Sequence, residues 1–326
     1  MAGVQNSELT IAVSNAGGLG SLPCAMLTPE GLAAEVETIR AQSDRTFNLN
    51  FFCHQSPTPE VEVLSTWRDL FVDYYAELGI EAPELSSAAA RTPFNRAMAE
   101  LVCQYRPAVV SFHFGLPAPE LLQMVRSSGA KILSSATTVE EAIWLEAHGV
   151  DAVIAQGMEA GGHRGMFLTQ DLGTQLGTFA LLPQVVRALR VPVIAAGGIA
   201  DASGVRAAMA LGASAVQVGT SYLLCNEATT SAMHRNALQD ARTRNTQLTT
   251  TFTGRPARGI VNRLMRELGA LHPAAPAFPL AAFASAPLRL AAERLGSSDF
   301  SPLWAGQNAS GCKPISAEEL TLQLVA

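Results

Sequence analysis

Along most of the chain, short runs of apolar residues alternate with longer stretches in which apolar positions recur every three to four residues. Runs of the first kind read as buried parallel strands, and the longer stretches read as amphipathic helices. Strands are predicted at Leu19–Leu22, Phe47–Phe52, Val109–Phe112, Lys131–Leu133, Asp151–Ala155, Val191–Ala196 and Ala215–Val218. Helices are predicted at Ser7–Asn15, Glu30–Gln42, Glu120–Ser127, Val139–His148, Leu181–Leu189 and Val205–Leu211. Gly149 and Gly212 follow two of these helices directly, where the left-handed conformation costs glycine little.

The repeat defines an α/β fold of the TIM (β/α)8-barrel type. Seven strands are visible, whereas a closed barrel needs eight; seven also suit an open doubly wound sheet. The chain enters its first helical segment at Ser7, so the first barrel strand, about ten residues with its turn, is read as missing from the N-terminus. Residues 1–225 are assigned to the barrel, with a helical excursion at about 56–106. Residues 226–300 read as a smaller cap or substrate domain, in which Thr229–Arg242 and Arg255–Leu268 are predicted helices around a Thr-rich stretch. Residues 301–326 are expected to return to the barrel.

Composition narrows the function. The chain has 326 residues, 48% hydrophobic and 15% charged, and a net charge of −6. That balance suits a globular protein and argues against nucleic acid as a partner. Lys131 and Lys313 are the only lysines, and neither lies in a glycine-rich loop, which restricts Schiff-base chemistry. Five scattered cysteines without a C-x-x-C pair speak against a disulfide framework or a metal site and for a reducing cytoplasm. The most apolar stretch is broken by Arg187, Arg190 and Pro192, so no membrane span is expected.

In such barrels function sits on the loops that follow strands. Gly197-Gly198 and Gly219-Thr220 end consecutive strands. Glycines serve tight turns, but two such pairs side by side let backbone N–H groups approach a phosphate, with the positive end of the following helix aimed the same way. The segment Gln156–Gly165 places His163 and Arg164 among four glycines. It suits a backbone passing close to a flat ligand while His163 projects into the pocket as base, donor or anion partner. Glu159 and Arg164 are expected to brace this loop through ion pairs. His113, between two phenylalanines, reads equally as a packed core residue or a substrate-facing one. Cys53 and His54 are adjacent on a strand end and point apart, which speaks against a nucleophile pair.

Asn15–Gly20, Asn48–His54, Ser111–Gly115, Gln156–Gly165, Ala195–Ile199 and Gln217–Thr220, with Met1–Val4, Arg258–Arg263 and Leu303–Gln307, resemble the nitronate monooxygenases, formerly called 2-nitropropane dioxygenases. The resemblance spans nearly the whole chain. It implies an FMN-binding barrel that oxidises alkyl nitronates, such as propionate 3-nitronate, with O2 to a carbonyl compound and nitrite, as a monomer or homodimer. By position it assigns flavin contacts to Asn50, Gln156, Gly161, Gly198, Gln217, Val218, Gly219 and Thr220, and catalysis to His163. Family members carry a first strand whose backbone helps hold the flavin, ahead of the segment that opens this chain. Two other readings remain: an FMN-dependent NADH:quinone or enoyl-thioester reductase of related build, and a flavin-free barrel that binds a phosphate ligand.

Overall fold

The computed structural model describes residues 3–85, 92–240 and 245–326. Met1 and Ala2, part of the predicted 56–106 excursion and the end of the predicted Thr229–Arg242 helix lie outside the described residues. Seven parallel strands form one sheet: β1 (Gly20–Pro23), β2 (Phe47–Phe52), β3 (Val109–His113), β4 (Lys131–Ala136), β5 (Ala152–Gln156), β7 (Val193–Ala196) and β8 (Ala215–Gln217). They pair in chain order, with β1 and β8 at the edges, so the sheet curls as a half-barrel. Each of the seven predicted strands is present, with ends within two residues except for β4, which runs on past the predicted Leu133 to Ala136.

Helices α1 (Ser7–Asn15), α2 (Pro29–Gln42), α5 (Arg96–Tyr105), α6 (Pro119–Ser127), α7 (Val139–Ala147), α8 (Thr178–Ala188) and α9 (Ala202–Ala210) flank the sheet. Their starts are set locally: Asn6, Thr28, Asn95, Thr138 and Asp201 each accept a bond from a first-turn N–H. The strands alternate strictly. Leu49, Phe51, Val110, Phe112, Ile132, Val153, Ala155, Val193 and Ala195 face the helices and build the main core. The opposite positions, among them Asn48, Asn50, Ser111, His113, Ser135, Gln156 and Gln217, therefore share the concave face. The C-terminal helix α13 (Ala317–Leu324) packs on both α1 and α9. Through it the helices beside the two sheet edges are linked without strand pairing.

A second core collects Leu64 and Trp67 from α3 (Val61–Asp69), Phe71 from the junction that follows and Tyr75 from α4 (Val72–Glu77) with residues of α11 (Arg263–Leu268) and α12 (Ala282–Arg294). Trp67 Nε1 donates to Ala281 O at 2.9 Å and the Tyr75 hydroxyl to Ala284 O at 2.7 Å. The 56–106 segment is thus divided: α3 and α4 join this second core, while α5 packs with α2 and α6 beside the sheet.

One prediction beyond the sheet fails. Arg255–Leu268 is not one helix: Ala257–Ile260 is strand β10, paired antiparallel with β9 (Thr246–Thr249), and only α11 is helical. Gly254 takes φ +83° and Pro256 removes a donor, so the backbone turns there instead of coiling. The Thr-rich stretch supplies the β-branched residues of β9. Thr229–Arg242 shortens to α10 (Ala232–Gln239) among the described residues.

Candidate active site

The His163 loop is anchored from three directions. Gly162–His163 forms a two-residue strand, β6, paired antiparallel with β10, so that His163 lies opposite Ala257. Arg164 N donates to Pro256 O at 2.8 Å. From the sheet, Gln156 Nε2 donates to His163 O at 3.0 Å, and Gln156 Oε1 accepts from Gly165 N at 2.8 Å. Arg164 is fully buried and donates to Gly157 O (2.6 Å), Gln156 O (2.8 Å) and Gln175 Oε1 (3.0 Å). Glu159 turns away to Thr178, accepting from its N and its hydroxyl, both at 2.8 Å. Both residues brace the loop, but through backbone and neutral groups; the predicted ion pairs are not what holds it.

The His163 imidazole meets Thr253 Oγ1 at 2.9 Å through Nε2. Four aromatic rings surround it: Phe278 at 5.1 Å, Trp304 at 5.6 Å, Phe114 at 5.9 Å and Phe52 at 6.2 Å between centroids. Phe114 adopts φ +71°, a left-handed conformation that is unfavourable for a bulky residue, at the end of β3. His113 lies below, with Nε2 3.2 Å from His163 O and Nδ1 3.0 Å from Ser135 Oγ. A carbonyl only accepts, so His113 carries its proton on Nε2 and Nδ1 accepts from Ser135. Burial pulls the His113 pKa down to about 3, against the opposing hydrogen bond to His163 O, so the ring is neutral. His113 supports the His163 backbone.

Asn50, half-buried on the concave face, donates to Ser111 Oγ at 2.8 Å. Its neighbour Asn48 donates to Ser21 and Ser111, both at 2.7 Å, and leaves a buried Oδ1 without a partner. Gln217 is exposed on the same face at the end of β8. Gly198 has φ +74° and its carbonyl accepts from Asn308 Nδ2 at 2.9 Å. The N–H groups of Gly198 and Gly219 donate to no acceptor among the described residues. Val218 leads into this turn, and Thr220 Oγ1 accepts from Gly306 N at 2.9 Å, leaving its hydroxyl proton available. One expectation changes here. Asp201 caps α9 and accepts from Gly204 N at 2.8 Å, so its carboxylate already neutralises that helix end. The donors offered to an anion are those of the two glycine loops.

Gly161 is explained by the chain itself: a Cβ there would stand 2.5 Å from Gly306 N. The 303–308 segment passes over both groups, since Trp304 also bridges Gly259 and Gln307 N donates to Glu159 O at 2.9 Å. Thr253, Arg255, Phe52, Phe114, Phe278 and Trp304 were not singled out from sequence. The period-2 alternation of β2 places Phe52 beside His113, and the turn at Gly254-Arg255-Pro256 marks a hairpin; Phe278 and Trp304 come to His163 from more than a hundred residues along the chain.

The fold is a parallel half-barrel of the (β/α)-barrel class, with the His163 loop and the two glycine loops at the C-terminal rim of its strands. The nitronate monooxygenase family model matches residues 1–326. A nitronate monooxygenase of Pseudomonas aeruginosa is 40% identical over 100% of this chain and 93% of its own length. The structure of a nitroalkane oxidase from Streptomyces ansochromogenes superposes with a TM-score of 0.90 at 38% identity, covering 99% of this chain and 92% of that one. FabK from Thermotoga maritima reaches a TM-score of 0.71 at 26% identity, with 99% and 89% covered. The chain belongs to the nitronate monooxygenase family, whose members are flavin-dependent oxidoreductases. Among the described residues, no helix is long and apolar enough to cross a membrane.

Proposed function

We propose that this chain binds FMN on the concave face and oxidises alkyl nitronates with O2 to a carbonyl compound and nitrite. The observation that carries the reading is the placement of His163, pinned by β10 and Gln156 inside an aromatic enclosure at the strand ends. The residues fit the cofactor. Unpaired N–H groups at Gly198 and Gly219 and the Thr220 hydroxyl suit its phosphate, while Asn50 and Gln217 offer amides to its polar ring edge. Gln156 and Gly161 act here chiefly by shaping the His163 loop. When bound, the flavin supplies the one-electron redox chemistry between nitronate and O2.

The protein's own part is electrostatic and geometric. A nitronate is already an anion, so no strong base is required; His163 holds it through a hydrogen bond, and removes a proton only when a neutral nitroalkane is used. Thr253 and the backbone bonds from Gln156 and His113 hold His163 in place. The enclosing rings exclude water from the reacting end. On this reading the protein is cytoplasmic, in keeping with five scattered cysteines and no C-x-x-C pair in the sequence.

An absorbance spectrum of the purified protein, taken before and after anaerobic addition of an alkyl nitronate, tests this. A flavin spectrum that bleaches with the nitronate is expected. Bleaching by NADH and not by nitronate would assign a reductase instead, and failure to bind added FMN would remove the flavin reading altogether. His163→Asn is expected to keep the flavin and lose most turnover.

A further inference from the structure

Three arginines lie near the His163 loop, and two of them are each tied to more than one backbone carbonyl. Arg164 donates to two carbonyls and to Gln175. Arg258 donates to Met158 O at 2.9 Å and Thr246 O at 3.2 Å. Arg255 differs. Its Nη2 donates to Met166 O, its guanidinium carbon stands 4.0 Å over the Phe114 ring, and its buried Nε has no partner among the described residues. No carboxylate among those residues pairs with it. Glu141, the acid that most influences it, already accepts from Thr137 N and Oγ1 and from Phe167 N and Leu168 N. A largely desolvated cation with an idle donor is costly unless an anion completes it.

Arg255 lies beside the His163 enclosure. Arg255 and His163 flank the same Phe114 ring, the one held in a left-handed conformation. Arg255 also shares a turn with Thr253, the hydroxyl partner of His163. The rings of Phe52, Phe278 and Trp304 also stand against His163. The lysines are engaged elsewhere, Lys131 with Asp151 and Lys313 with Gln323.

We propose that Arg255 is the electrostatic partner of the substrate's anionic head, while the wall of Phe52, Phe278 and Trp304 takes its tail. This rests on the nitronate reading above and specifies it. The preferred nitronate carries a single negative charge and an apolar chain; a second anionic group, such as the carboxylate of propionate 3-nitronate, meets aromatic rings and, among the described residues, no second cation.

Calorimetric titration of the FMN-loaded protein with carboxylates, redox-inert planar anions that mimic a nitronate head, tests the proposal. Hexanoate is expected to bind about tenfold tighter than butyrate, in line with two further buried methylenes. Hexanamide and succinate are expected to bind more weakly than hexanoate. Arg255→Met is expected to lower hexanoate affinity by about tenfold or more, as loss of a charge-assisted bond implies. Arg255→Gln, which keeps a donor for Met166 O, guards against a variant that fails to fold. Unchanged hexanoate binding in either folded variant overturns the proposal, as does succinate binding tighter than hexanoate or equal binding of hexanoate and hexanamide by the unaltered protein. Initial rates with butyl- and hexyl-1-nitronate keep the two readings apart. The expected carboxylate pattern without oxidation of any nitronate retires the reaction alone, whereas nitronate oxidation with Arg255-independent binding retires the anion site alone.

Discussion

Gln156 grips the backbone of the His163 loop at two points, donating from Nε2 to His163 O at 3.0 Å and accepting at Oε1 from Gly165 N at 2.8 Å. The amide donates and accepts at once without a charge. Gln156→Leu leaves Gly165 N unpaired and His163 O with the His113 bond alone, and is expected to destabilise the protein by about 2 kcal/mol. Gln156→Glu is expected to impair turnover further, because a carboxylate repels the His163 carbonyl. Thermal melts with flavin content and initial rates measured side by side check this; wild-type turnover in Gln156→Glu would show that the loop does not depend on the amide.

Thr253 holds the reactive end of the same residue. Thr253→Val preserves shape but removes the partner of His163 Nε2. Turnover is expected to fall about fivefold, the equivalent of about 1 kcal/mol, with a displaced pH profile of kcat/KM and near-normal behaviour in Thr253→Ser. A pH profile of Thr253→Val that superposes on wild type would separate Thr253 from His163 function.

Gly161 and the 305–306 backbone leave no room for a methyl group, since a Cβ at Gly161 would lie 2.5 Å from Gly306 N. Gly161→Ala is expected to cost about 1–3 kcal/mol through overpacking, and to change the fluorescence of Trp304 as the 303–308 segment shifts. A melt unchanged from wild type would mean that the two segments separate freely.

Acid should weaken the fold before its carboxylates titrate. Burial lowers His113 to about 3 and His234 to about 4, both below the ordinary histidine value. The unfolded chain therefore takes up protons first, and stability present above about pH 6.5 is lost as the pH falls toward 4. The slope is at most about 1.4 kcal/mol per pH unit for each histidine. Melting temperature followed from pH 7 to 4.5 is expected to fall, and the His113→Asn curve to fall less steeply; parallel curves would show that His113 is not held neutral.

The repeating strands and helices were legible in sequence because parallel strands buried on their outer face carry apolar runs, and the helices between them carry their own caps at Asn6, Thr28, Thr138 and Asp201. The glycine loop around His163 was legible for a similar reason: its composition is unusual wherever it sits. What surrounds His163 was not legible. β10 was read as a helix, and that error hid the hairpin that pins His163 and delivers Thr253 and Arg255 to it. The roles of Gln156 and Gly161 likewise depend on partners that only folding supplies, the His163 carbonyl and the Gly306 backbone. Local periodicity and capping are properties of a few neighbouring residues, so the sequence alone determined the half-barrel and the position of the His163 loop. The enclosure of His163 joins Phe52, Phe114, Thr253, Phe278 and Trp304 across more than two hundred residues. Only tertiary packing, which sets distances that chain spacing does not encode, decided it.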